Sequence, residues 1–246
     1  MTVTSTDQAA NLAAAAWSAL HQVRDPELDE AITALGFVAG CAVSPAGEAV
    51  VRLRLPTYFC APNFAFLMVA DAFDAVAAVP GVRRVRVILE DHFASAEINE
   101  GIAARAGFVQ SFSGQAVAEL DELRADFLRK AVMAGTDRVC RPLLASGASA
   151  DELAALTLGE VPASDDRERL RSRRAELGLP AGDHDPLLID PLTGTAIAAH
   201  ALPLYLRRAR TTRVSVDANA SVCRGLLRQR YPTPRLGDMD TEEKGR

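Results

Sequence analysis

Four cysteines, at positions 41, 60, 140 and 223, carry the most reactive side chains of this 246-residue chain, and no two lie at CxxC spacing. Neither a zinc knuckle nor a thioredoxin-type redox pair is therefore written in the sequence. Cys60 is set apart by its surroundings. It lies in Leu55-Pro56-Thr57-Tyr58-Phe59-Cys60-Ala61-Pro62-Asn63, a loop between an alternating apolar run and a helical one. With Asn63 read as the helix N-cap, the thiol stands just before a helix N-terminus. Exposed N–H groups and the positive dipole end there favour thiolate, the form that ligates metals or attacks electrophiles. The competing reading is an inert buried cysteine, the commoner condition of a lone Cys. Thr57 either hydrogen-bonds the loop that holds Cys60 or simply ends a strand.

Other groups offer less. Cys41 shares an alternating face with Phe37, Ala39 and Val43, which favours core packing over ligation. Asp183-His184-Asp185, with His200 sixteen residues beyond His184, supplies oxygen and nitrogen donors suited to iron or zinc. Flanked by Gly and Pro, it reads more simply as a solvated loop. His21 and His92 read as surface or edge residues. Residues 201–235 hold eight Arg and one Asp, with Arg207, Arg208, Arg210 and Arg213 in a stripe that either docks an acidic partner or is a solvated helix face. With only Tyr205 and Tyr231 as aromatics there and a net charge of −5, nucleic acid is a poor partner.

These side chains need a scaffold, and the apolar periodicity supplies one. Residues 7–23 repeat Leu12, Ala16, Ala19, Leu20 and Val23 at helical spacing up to Arg24-Asp25-Pro26-Glu27. Two alternating runs, Leu35–Val43 and Glu48–Leu55, flank the turn Pro45-Ala46-Gly47 and predict a β-hairpin. Phe64, Leu67, Met68, Ala72, Phe73, Val76 and Val79 predict a buried-face helix, and Val82–Leu89 a third strand. The order α-β-β-α-β lets the helix act as a crossover, placing the third strand parallel to a hairpin member in a mixed three-stranded sheet. Helices follow at about 94–105, 112–134, 150–158, 164–177, 198–209 and 219–230, the first four separated by Gly107, Gly135, Gly147 and Pro162. The fold class is α+β: a domain over 10–92, a mainly helical region over 93–235 and a disordered tail at 236–246.

Composition narrows the setting. At 49% hydrophobic residues the chain can bury a sizeable core. The acidity is local to the front: residues 1–110 hold 7 Arg against 12 Asp and Glu, while the remainder balances 20 against 20. The beginning shows no basic n-region and no apolar run of membrane-spanning length, so the expectation is a soluble, cytoplasmic protein with free thiols.

Several elements in order give the N-terminal part a likeness. Asp25-Pro26-Glu27 follows the first helix, Leu35-Gly36-Phe37-Val38 opens the first strand, and Pro56-Thr57-Tyr58 with Cys60 follows the second. Pro80-Gly81-Val82 then leads into Val85-Arg86-Val87. Together they resemble the small iron-sulfur cluster assembly factors of the SufT and PaaD type, across about one third of the chain. One departure is that Ala61 separates Cys60 from Pro62 and Phe59 precedes it, where family members commonly place glycine, cysteine and proline in a row. The resemblance implies a non-enzymatic maturation factor. Cys60 would be the exchangeable ligand to iron or a cluster, and Asp25 and Glu27 would lie near it to assist transfer or tune the thiol. Their alternative reading is turn chemistry.

The Pro-Thr-Tyr wording leans to the PaaD branch, whose members serve multicomponent oxygenases. The expected client is therefore an apo-protein such as a di-iron hydroxylase, met with assembly machinery or a chaperonin. A four-thiolate cluster exceeds what one loop cysteine supplies. It would be shared across a homodimer, completed by Cys140, Cys223 or a small thiol, or held in transit. Two other readings stand beside this one: a metal-free adaptor bridging client and machinery, and a thiol enzyme with Cys60 activated by His21 or His92.

Overall fold

The computed structural model describes residues 5–232, so the tail expected at 236–246 lies outside the described residues. Its contacts group into two compact units. Within the described residues, the first gathers 5–24, 31–117 and 220–232, and the second 25–30 and 118–219.

The first unit holds helix α1 (Ser5–Leu20), strands β1 (Val38–Val43) and β2 (Glu48–Arg54), helix α2 (Pro62–Ala77) and strand β3 (Arg84–Glu90). Helices α3 (Ser95–Ala103) and α4 (Phe108–Ser111) follow. The sheet order is β1-β2-β3, antiparallel then parallel, which is the mixed sheet and crossover expected from the α-β-β-α-β pattern. Gly47 closes the hairpin at φ +81°, and its carbonyl accepts from Arg83 N at 2.8 Å, so the turn also seats the start of β3. A Cβ at Gly47 would collide with the Gly81 carbonyl oxygen, so only glycine fits this junction. Leu20, Phe37, Val51, Leu53, Val69, Ala72, Val76 and Leu89 form the core between helices and sheet.

Strand β1 departs from strict alternation. Val38 pairs with Leu53 but Gly40 with Arg52, leaving Ala39 as the extra residue of a bulge. Ala39 is exposed, and Cys41, opposite the buried Val51, is half-buried at the sheet edge rather than enclosed. Helix α2 also starts earlier than Asn63 suggested. Its N-cap is Ala61 without a side-chain bond, and Pro62 occupies the first turn, where a missing N–H costs nothing.

The second unit is built on α5 (Asp121–Ala145), α6 (Ala150–Ala155), α7 (Asp165–Glu176) and the first part of α8 (Leu202–Arg230). Ser149 caps α6 through a capping box, and the Ser164 side chain caps α7. Two expectations change here. Gly135 does not end a helix. It is buried inside α5, where an added Cβ would meet Leu170 at 3.4 Å, an ordinary van der Waals contact. The helices expected at 198–209 and 219–230 are one continuous α8, because the polar, β-branched stretch between them is held by the Arg213–Asp217 pair at 2.7 Å and by buried Ala209 and Val216. No helix among the described residues is long and apolar enough to cross a membrane.

Candidate functional site

Strand β2 runs into Leu55 and Pro56, both buried, and the chain then turns outward through Thr57–Ala61 before α2 begins. Cys60 is half-buried at this turn, and the Thr57 hydroxyl lies 3.3 Å from its Sγ. A hydroxyl at that distance can stabilise a thiolate by donating to it. Thr57 thus touches the thiol itself.

The loop is fixed from behind by His92, which follows β3. Its Nδ1 accepts from Ala94 N at 3.2 Å, so Nε2 carries the proton and donates to the Cys60 carbonyl at 2.7 Å. Burial holds the imidazole below its ordinary pKa, consistent with a neutral ring. In the sequence His92 reads as a surface or edge residue, yet it is buried and holds the backbone that presents Cys60. A second tie joins the segments, since Phe93 N donates to the Tyr58 carbonyl at 3.1 Å.

Around the thiol the surface is aromatic. Tyr58, Phe59 and Phe93 are exposed at 44%, 77% and 46%, and their ring centroids lie 5.0–6.3 Å apart. The base of the loop is clasped by the end of α8. Arg230 donates to the Leu55 carbonyl at 3.2 Å and the Asp91 carbonyl at 2.6 Å, and pairs with the Asp91 carboxylate at 2.7 Å. The Tyr231 hydroxyl donates to the same carboxylate at 2.8 Å, and Arg54 stacks on the Tyr231 ring 4.8 Å from its centroid. These partners hold Asp91 below the ordinary carboxylate range, the Tyr231 hydrogen bond first among them, and burial pushes Tyr231 up to about 12. No sequence signal pointed to Arg230 or Tyr231, which lie more than 130 residues beyond Asp91.

A partly exposed thiol thus sits on the β2–α2 turn of an α-β-β-α-β unit. Residues 13–87 match the family model of iron-sulfur cluster assembly proteins. The matched segment runs from within α1 into β3, under one third of the chain, and includes Thr57, Cys60 and the hairpin. His92, Arg230 and Tyr231 fall outside it. Comparison with curated proteins and with solved structures gave no match.

The assembly-protein segment raises the question of what could hold a cluster. A resident cluster needs four thiolates or substitutes for them, and no group of three His, Cys, Asp or Glu is placed to hold a metal among the described residues. Cys140 does not extend the donor set, because it is fully buried in the second unit and burial pushes its thiol up to about 12. Cys223 is half-buried on α8. The residues of one chain therefore do not fit a permanent four-thiolate cluster.

The remaining predicted residues have other work. Asp25 Oδ1 accepts from Glu27 N and Leu28 N, both at 2.9 Å, which is the turn chemistry expected of Asp before Pro. Burial raises its pKa to about 6. Glu27 accepts from Asn219 Nδ2 at 3.3 Å. Both acids belong to the second unit. His184 and His200 are exposed; Asp183 pairs with Arg171, and Asp185 accepts from Gly182 N at 2.7 Å, closing the loop. Arg207, Arg208 and Arg210 are exposed on α8, whereas Arg213 pairs with Asp137 at 2.5 Å.

Proposed function

We propose that this protein serves iron-sulfur cluster or iron-centre assembly as an accessory factor, not an enzyme, with the Cys60 thiolate as a transient ligand to the cargo. The carrying observation is the half-exposed Cys60, 3.3 Å from the Thr57 hydroxyl, inside the segment that matches the assembly-protein family. One accessible thiol per domain suits cargo in passage: a single labile ligand releases readily, and a second copy, a small thiol or the client completes the coordination. The client is an apo-protein, and the Pro56-Thr57-Tyr58 wording favours a di-iron hydroxylase of a multicomponent oxygenase, matured in the cytoplasm with assembly machinery or a chaperonin.

Anaerobic reconstitution with iron and sulfide tests the ligand. Wild type should develop charge-transfer absorption that Cys60→Ala lacks; equal absorption in both, or none in either under reducing conditions, removes Cys60 as a ligand.

A second reading is favoured by the exposed Tyr58, Phe59 and Phe93. An aromatic rim is a contact surface in its own right, and a metal-free adaptor would use it to hold a client. In that case Cys60→Ala leaves client activation intact and Phe59→Ser abolishes it. Charge reversal at Arg207, Arg208 and Arg210 separately tests whether the α8 stripe contributes to client capture.

A further inference from the structure

Helix α3 stops at Ala103, and there a hollow of about 480 Å³ opens over the start of β3. Phe73 and Ala77 of α2, with Val82, Val85 and Ala103, give it an apolar wall. A narrower apolar space of about 210 Å³ adjoins it through Phe73, Val85 and Ala103. Together they are of the size that takes a small molecule. The rim is cationic: Arg83, Arg84, Arg86 and Arg105 all line the hollow and are all exposed.

These four arginines differ from their neighbours. Residues 1–110 hold only seven, and of the other three Arg52 and Arg54 are bound to Glu90 at 2.5 and 2.8 Å. Among the described residues Arg83, Arg86 and Arg105 form no ion pair, and Arg84 meets only Glu48, at 3.5 Å in a pair exposed at both ends. Asp74 is the other carboxylate beside the hollow. The ends of α2 and α3 add about half a negative charge each, which leaves the rim positive.

Arg105 carries a second sign of use. Its N–H donates to the Ile102 carbonyl at 3.0 Å and Ala106 N to the Gly101 carbonyl at 2.8 Å, the paired bonds of a helix end whose left-handed residue is usually glycine. Arg105 holds that position at φ +55°. Ending the helix would be served better by glycine. What arginine adds is a guanidinium 5.3 Å from the Phe73 ring centroid, at the wall of the hollow.

We infer that this hollow binds a nucleoside diphosphate, with its phosphates on Arg83, Arg84 and Arg86 and its base against the apolar wall beside Arg105. Arg84 and Arg86 stand two residues apart on β3, about 6.6 Å along the strand. Forks so spaced reach the oxygens of successive phosphates, whereas a single carboxylate occupies one fork. A guanidinium stacked on Phe73 offers its other side to a flat ring. A polynucleotide needs a longer basic track, and Glu90 neutralises Arg52 and Arg54, the next arginines across the sheet.

Isothermal titration calorimetry of the full chain with ADP is the test. Saturable binding is expected, weaker by about tenfold or more for pyrophosphate or adenosine alone. Arg105→Gly should weaken ADP binding about tenfold while keeping or raising the thermal midpoint, because glycine relieves the left-handed backbone. Arg84→Gln/Arg86→Gln, on exposed side chains, should weaken it further and decides the matter if Arg105→Gly lowers the midpoint. Absence of saturable ADP binding, pyrophosphate or octanoate bound as tightly as ADP, tighter binding of an oligothymidylate, or ADP affinity unchanged in the double variant would each overturn the inference.

Discussion

Cys60 and Cys140 belong to regions that use polar groups in opposite ways. In the second unit several charged and polar side chains face inward and bond to groups of the same interior. Arg174 is fully buried and gives Nη1 to the Pro186 carbonyl at 2.9 Å and Nη2 to the Leu187 carbonyl at 2.5 Å, while burial brings it down to about 10. Arg173 pairs with Asp29 at 2.6 Å, and Tyr205 donates to the Ile189 carbonyl at 2.8 Å. Cys140 lies within this interior as a small apolar group. Around Cys60 the loop backbone is held from behind by His92 and Arg230, while the thiol is half-buried and three aromatic rings are exposed. Interior polar groups specify the packing, whereas the loop holds its side chains ready for something outside the chain.

The sharpest way to break this contrast is stability. Arg174→Ala should cost about 3–5 kcal/mol, since it leaves two buried carbonyls unpaired and opens a cavity; chemical unfolding measures it. A loss below about 1 kcal/mol would show that the interior does not depend on those bonds.

Next is the pH response of Asp25, whose folded pKa of about 6 lies above its ordinary value of 3.8. The folded state keeps this proton longer, so its contribution to stability is present below about pH 4 and falls as pH rises to about 6. Asp25→Asn cannot titrate there. The stability difference between wild type and variant should therefore shift by about 3 kcal/mol against wild type across that window, and stay level above it. A flat difference would refute the raised pKa.

A smaller effect on stability is expected at the site. Cys60→Ala and Phe59→Ser should each change unfolding free energy by less than about 1 kcal/mol, while abolishing, respectively, cargo ligation or client capture. Thiol order sharpens the same contrast: alkylation of native protein at neutral pH, read by mass spectrometry, should label Cys60 and leave Cys140 intact until unfolding. Early labelling at Cys140 would show that its interior opens readily.

What the sequence disclosed follows the same division. Local periodicity was enough for the hairpin, the crossover helix and the loop placing Cys60, because each is set by residues within a few positions of one another. It misled where a single residue acts at long range. The bulge at Ala39 broke the face shared with Cys41, and Gly135 lies inside α5 instead of ending a helix. Ala61, not Asn63, is the N-cap of α2. His92 and Arg230 were illegible for the same reason: their partners, Cys60 and Leu55, lie 32 and 175 residues away.

Asn99 has a consequence for how this chain survives in a crowded solution. An open, apolar strand edge is a template on which unrelated chains polymerise into fibrils. Asn99 spends its carboxamide on Leu89, Val87 is buried, and the exposed Arg84 and Arg86 repel a second such edge, so little of the β3 edge is left to another chain. The molecule thereby tolerates an exposed edge too short and too charged to seed a fibre. Asn99→Leu should lengthen that edge and show itself first as light scattering on storage, before any loss of fold.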